Sequence, residues 1–181
     1  MTKLEAFDDN VEVEGQAVRS MLDGVAELSS VFEKRMQETL DQKGIGDPQP
    51  GEWYPQQAYL DAVGSIADSI GAQTFRNIGK KLPKNTEFPP SIDSVSEALE
   101  ALEKGYEMNH RGGDSGFYEF EDVGPNEKLV YCKNPYPCDL DVGLITAVAE
   151  EFSSDGIVTV EEESDLCRDD GGDKCSYRVS W

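Results

Sequence analysis

The apolar residues change their spacing near residue 116, and this change constrains the fold more than any other feature of the chain. Before it they recur at three- and four-residue steps. Val18, Met21, Leu22, Val25, Leu28, Val31, Phe32 and Leu40 make one stripe between Glu14 and Lys43, the period of a helix with one buried face. Gly44 to Gly51, with two prolines, ends that helix. Tyr59, Ala62, Val63, Ile66 and Ile70 mark a second helix that opens near Pro55, and Thr74 to Leu82 a third. Ser94-Val95-Ser96-Glu97 is a capping box: the serine takes an orphan amide while the glutamate reaches back. It opens a fourth helix through Leu99, Leu102 and Tyr106.

After residue 116 the spacing becomes two. Phe117, Tyr118 and Phe120, a turn at Gly124-Pro125-Asn126, then Leu129-Val130-Tyr131 read as a hairpin. A helix over Asp139–Phe152 and strands over Gly156–Glu162 and Lys174–Trp181 follow. Tyr177, Val179 and Trp181 alternate with Ser176, Arg178 and Ser180, so the last strand buries one face. The sequence predicts an α+β fold: N-terminal helices packed on a four-stranded antiparallel sheet, in the order α-α-α-α-β-β-α-β-β. Residues 1–13 are expected to be a flexible acidic leader, 14–50 a long N-terminal helix and its linker, and 51–181 an α+β ligand-binding-like domain.

Charge narrows the partners. Thirty-seven Asp and Glu face 16 Lys and Arg among 181 residues, a net charge of −21. Nucleic acid is excluded, because its affinity comes from basic residues neutralising phosphates, and an anionic membrane surface is excluded likewise. The acids are scattered through patterned apolar segments, and two Trp, seven Tyr and seven Phe can build a core, so disorder does not follow. An ordinary small domain carries about 2–8 net charges. A value of −21 fits a halophile, where molar salt cuts the Debye length to about 3 Å. There is no apolar run long enough to span a bilayer and no signal-like h-region, so a cytoplasmic location is expected.

Four cysteines fall in the second half: Cys132, Cys138, Cys167 and Cys175. Their spacing is wider than a zinc finger's, but both pairs sit near Pro and Gly turns at strand ends, as ligand loops do. Zinc, unligated buried thiols and disulfide or redox chemistry all remain open. A zinc site would use Cys138, Cys167 and Cys175, with Cys132 or His110 as the fourth ligand. His110, the sole histidine, ends the capped helix in Met108-Asn109-His110-Arg111-Gly112-Gly113. His110 and Arg111 either complement the helix dipole or face a ligand beside a turn that admits it. In the second case they form the polar end of an apolar cavity together with Tyr106 and Tyr136, and Arg111 selects an anionic group. Gly112 to Gly116 is not a nucleotide loop, since it follows a helix and opens a strand. The turn Asp169 to Asp173 lacks EF-hand spacing. No catalytic constellation stands out.

Asn134-Pro135-Tyr136-Pro137-Cys138, the helix with Gly143, and Cys167 followed by Gly171-Gly172-Asp173-Lys174-Cys175-Ser176-Tyr177-Arg178-Val179-Ser180-Trp181 resemble the 4-vinyl reductase domain. That family belongs to a superfamily with heme-nitric-oxide-binding domains and vesicle-tethering TRAPP subunits. Tyr106 to Gly113 is similar to a segment of an uncharacterised branch, and the resemblance spans roughly Trp53 to Trp181. It implies helices on a four-stranded antiparallel sheet, a ligand cavity between them, and zinc at cysteines matching Cys167 and Cys175, extended to Cys138 and Cys132. The heme branch carries Tyr-x-Ser-x-Arg with a proximal histidine. Ser176-Tyr177-Arg178 departs from that order and spacing, so heme is not expected here. The function expected is a non-catalytic sensor domain binding an apolar or anionic small molecule. The alternatives are a structural module that homodimerises through the N-terminal helix, and a tetrapyrrole-handling enzyme.

Overall fold

Glu14 ends one element and starts another. Strand β1 (Glu12–Glu14) runs straight into helix α1 (Gly15–Ala26), and the Glu14 carboxylate accepts from the Gln16 amide at 2.6 Å, satisfying one of the helix's orphan donors. The computed structural model describes residues 4–85, 88–154 and 157–181. The stripe expected to form one helix over Glu14–Lys43 is divided. Helix α1 stops after Ala26, and α2 (Ser30–Gln42) starts afresh with the Ser29 hydroxyl accepting from the Phe32 amide. A serine able to cap competes with helix continuation. The break also turns Leu28 and Val31 outward, so the two expected core residues are exposed. Val18, Met21, Leu22 and Val25 of α1 and Met36 and Leu40 of α2 stay buried.

The expected acidic leader is part of the body over its described residues. Val11 and Val13 are buried, Leu4 and Ala6 pack on the core, and the Ala6 amide donates to Gln57 Oε1 at 3.0 Å. Met1 to Lys3 lie outside the described residues. Three very short strands build a sheet that was not expected. β1 is central, with β2 (Trp53–Pro55) on one side and β3 (His110–Arg111) on the other, both antiparallel. Two or three residues are too few for an alternating pattern to register.

Helices α3 (Gln56–Ala67), α4 (Ala72–Gly79) and α5 (Val95–Met108) follow, then strands β4 (Phe117–Gly124) and β5 (Glu127–Lys133), helix α6 (Cys138–Phe152), and strands β6 (Thr159–Glu162) and β7 (Cys175–Ser180). β6 was expected to begin at Gly156, which lies outside the described residues. The capping box operates in part: Ser94 Oγ accepts from the Glu97 amide at 3.3 Å, while Glu97 reaches Asp93 N at 3.2 Å. The large sheet has the order β4-β5-β7-β6 and is antiparallel throughout. Among the described residues the fold is thus α+β with six helices and two antiparallel sheets. It differs from the expected order by the extra small sheet and by the division of the first helix.

Helix α6 packs on α4 at glycine-to-backbone distance. A Cβ at Gly143 would lie 2.1 Å from the Arg76 carbonyl oxygen, and one at Gly79 would lie 2.2 Å from that of Leu140. Among the described residues, no helix is long and apolar enough to cross a membrane.

Candidate functional site

A cavity of about 1290 Å³ opens between α1, α5, α6 and the sheet. Val13, Tyr59, Leu102, Phe120, Leu144 and Val148 give it apolar walls; Tyr106, His110, Tyr118, Tyr136 and Asp141 bring polar atoms to it. Of the four residues read from the sequence as ligand contacts, Tyr106, His110 and Tyr136 line this cavity together. Arg111 is elsewhere. It follows His110 on β3, so its side chain takes the opposite face, where Arg111 Nε donates to Glu12 Oε2 at 2.7 Å and the guanidinium covers the Trp53 ring at 4.3 Å.

His110 is half-buried and fully engaged. Its ring stacks on Tyr106 with centroids 4.1 Å apart. Nδ1 lies 2.8 Å from the Tyr106 carbonyl and Nε2 lies 2.7 Å from the Tyr136 hydroxyl. A carbonyl can only accept, so Nδ1 carries the proton and the neutral ring presents a lone pair at Nε2. The Tyr136 hydroxyl therefore donates to Nε2. It accepts in turn from Gln56 Nε2 at 3.1 Å. Burial lowers His110 from 6.5 to about 4, only partly offset by the Tyr106 carbonyl, and burial first raises Tyr136 and Tyr106. Gln56 is wholly buried, and among the described residues its Oε1 has no hydrogen-bond partner. Rotating the amide would offer Oε1 to Tyr136 but would take the hydroxyl proton from His110. One proton thus faces two acceptors. Gln56 carries no sequence signal of its own, since it meets Tyr136 across 80 residues.

The floor of the cavity is polar. Asp141, wholly buried on α6, accepts from the Tyr118 hydroxyl at 2.5 Å and from Asn134 Nδ2 at 3.1 Å. Its carboxylate pairs with Arg168 Nη2 at 2.5 Å. Burial raises its pKa, and the Arg168 charge opposes the rise. Sequence reasoning missed both residues: Asp141 looks like ordinary acid in a helix's first turn, and Arg168 sits in an acidic loop.

Behind this floor three thiols meet. Cys138, Cys167 and Cys175 have their sulfurs within 4.8 Å of one another, with Cys175 Sγ 3.3 Å from that of Cys138 and 2.9 Å from that of Cys167. Cys138 is brought by the start of α6, Cys167 by the turn before the 3-10 segment Arg168–Asp170, and Cys175 by the start of β7. The neighbouring thiols and two Arg168 N–H groups hold Cys175 low as their acceptor, while its hydrogen bond with Cys175, and then burial, push Cys138 up. Cys132 faces Cys175 across the ladder and is wholly buried, but its sulfur lies outside the trio. His110 has both ring nitrogens engaged by the Tyr106 carbonyl and the Tyr136 hydroxyl and supplies no ligand to the trio. A tetrahedral zinc at Zn–S distances of about 2.3 Å places its sulfurs about 3.8 Å apart, so the trio fits a zinc ion with small adjustments.

No family model and no curated protein matches the chain. Solved structures do match. An oxygen-binding H-NOX (heme-nitric-oxide-binding) domain related to soluble guanylate cyclases aligns with TM-score 0.69 and 16% identity over 92% of this chain and 94% of that one. An H-NOX from T. tengcongensis gives 0.68 and 16% over 92% and 96%. One from S. oneidensis in the Fe(II) ligation state gives 0.66 and 13% over 92% and 95%. A further neighbour comes from work on heme distortion in the H-NOX family. This corrects the expectation about heme. A missing Tyr-x-Ser-x-Arg signature does not set the chain's fold apart from that of H-NOX domains, whose solved structures it resembles. The residues present meet heme in two respects: the cavity is spacious, and His110 is oriented through Nδ1 on a carbonyl, as metal-ligating histidines are. In a third respect they compete with it, since the Tyr136 hydroxyl occupies Nε2. A likeness that covers more than nine-tenths of both chains gives this chain the H-NOX fold.

Proposed function

We propose that the chain is a non-catalytic sensor domain of the 4-vinyl reductase-like kind, binding one small, largely apolar molecule in the cavity beside His110. The carrying observation is the row Gln56–Tyr136–His110, which has one donor proton for two acceptors. A ligand that satisfies the Nε2 lone pair lets the Gln56 amide rotate so that the Tyr136 hydroxyl donates to Oε1, which pairs both buried acceptors in exchange for the contact of Gln56 Nε2 with the Tyr136 oxygen. Such a ligand carries a hydroxyl or another donor, and the apolar walls take its body. The readout is a change at β3 and α5, which His110 joins. An anionic ligand is less favoured than the sequence suggested, because Arg111 is committed to Glu12 and Trp53.

Heme is a second reading, supported by the neighbours' fold and by the anchored Nδ1. His110 would hold it at Nε2, and bound heme would supply gas binding. Cys138, Cys167 and Cys175 hold zinc in this proposal, tying the start of α6 to β7 in the manner of a structural site. For the homodimer reading, α1 spends Val18, Met21, Leu22 and Val25 on its own core, which leaves the exposed Leu28 and Val31 as the apolar surface of this helical segment.

The test pairs two titrations of wild type and His110→Gln. Hemin is followed by its visible absorbance, and a panel of hydroxylated aromatic compounds by thermal shift. Tight binding that weakens at least tenfold in the variant supports the sensor reading, and which titration responds selects the ligand class. Equal behaviour of both proteins toward every compound would overturn it. Elemental analysis of purified protein checks for one zinc per chain.

A further inference from the structure

Arg168 follows a thiol of the trio and is almost wholly buried, at 8% side-chain exposure. Its groups divide in two directions. Toward the thiols, its backbone amide donates to Cys175 Sγ at 3.3 Å and its Nε to the same sulfur at 3.4 Å. Toward the cavity, Nη2 pairs with Asp141 Oδ2 at 2.5 Å, and Nη1 donates to Asn134 Oδ1 at 2.7 Å and to the Asn134 carbonyl. Asp141 accepts on its other oxygen from the Tyr118 hydroxyl at 2.5 Å, and both Asp141 and Tyr118 line the cavity. The planar guanidinium fixes these directions relative to one another, which a lysine ammonium would not do.

We infer that Arg168 is a positioning residue that couples the thiol trio to the ligand cavity, so that metal at the trio sets the placement of Asp141 and Tyr118 in the cavity wall. A zinc ion that draws Cys175 toward it pulls on Nε. The rigid fork passes that displacement to Asp141, and Asp141 passes it to the Tyr118 hydroxyl. Coupling is reciprocal, so a molecule that moves Tyr118 changes zinc affinity by the same factor. The inference rests on the cavity and zinc readings given above.

The experiment uses zinc alone and the full chain. Tyrosine is replaced biosynthetically by 3-fluorotyrosine, and the Tyr118 fluorine resonance is assigned with Tyr118→Phe. Zinc should shift this resonance in wild type and leave that of Tyr54, on β2 in the small sheet, in place. In Arg168→Gln, zinc should bind about 10–100-fold more weakly, as for other groups that orient metal ligands, and at saturation the Tyr118 resonance should not move. Arg168→Lys keeps the charge beside Asp141 without the fork. It serves where the glutamine variant does not fold, and it should retain zinc with a reduced shift. A wild-type chain that binds zinc with no change at Tyr118 overturns the coupling, as does an equal shift in wild type and variants, which would be a direct field effect. A wild-type chain that binds no zinc overturns the zinc reading itself, and the coupling with it.

Discussion

His110 carries a proton balance that can be read as stability. Burial lowers its pKa from 6.5 to about 4, so the folded state resists a proton that the unfolded chain accepts. Its contribution is fully present above pH 6.5 and is lost as pH falls toward 4. Over that window wild type should lose about 2–3 kcal/mol relative to His110→Gln, from about 1.36 kcal/mol per pH unit reduced for the ring's partial exposure. Urea unfolding at several pH values checks this. Tyr136→Phe should cost about 1–3 kcal/mol, because it strands His110 Nε2 and Gln56 Nε2 without partners; urea unfolding at pH 7 measures it. Tyr106, His110 and Tyr136 were legible because a helix end, a turn and aromatic strands converge on them in sequence. Gln56 and Arg168 were not, because their roles arise only when distant segments meet: Gln56 reaches Tyr136 across 80 residues, and Arg168 reaches Asp141 across 27. The trio of thiols was partly legible. The sequence grouped Cys138, Cys167 and Cys175 with Cys132 or His110 as a fourth, and only the placement of the sulfurs shows that Cys132, although opposite Cys175 on the ladder, stays outside the trio.

Among the elements, the contact of α4 with α6 is the least tolerant of change. Gly143→Ala would put a methyl 2.1 Å from the Arg76 carbonyl, against backbone with no rotamer to yield. It should destabilise by about 1–3 kcal/mol through overpacking, and separation of the helices would also shift Cys138 and Asp141 at the start of α6. Urea unfolding and the trio's reactivity toward a thiol reagent would register both effects. Helix periodicity revealed the presence and faces of α3, α5 and α6, alternation did the same for β7, and the apolar run Leu129-Val130-Tyr131 marked β5 without its face. It joined α1 to α2 because an apolar stripe persists through Leu28 and Val31, while the cap at Ser29 overrides it locally. The strands β1, β2 and β3 are too short for a period to appear.

For the whole molecule, the net charge of −21 is a long-range term that contacts do not cancel, since most ion pairs lie at the surface, where each contributes about 0–1 kcal/mol. The melting temperature should rise steeply from low to molar potassium chloride as self-repulsion is screened. Circular dichroism melts check it, and a flat profile would mean that the charges are already accommodated. The small sheet has a consequence in time. Glu12 on β1 meets Arg111 on β3 at a separation of 99 residues. At about 5–20 residues per second, the growing chain waits roughly 5–20 s on the ribosome between making one edge and the other. Throughout that interval β1 has an open flank, guarded by the like charges of Glu12 and Glu14 against pairing with a neighbouring nascent chain. The strand bearing His110 closes it, so one residue of the cavity wall arrives in the same step that covers this edge.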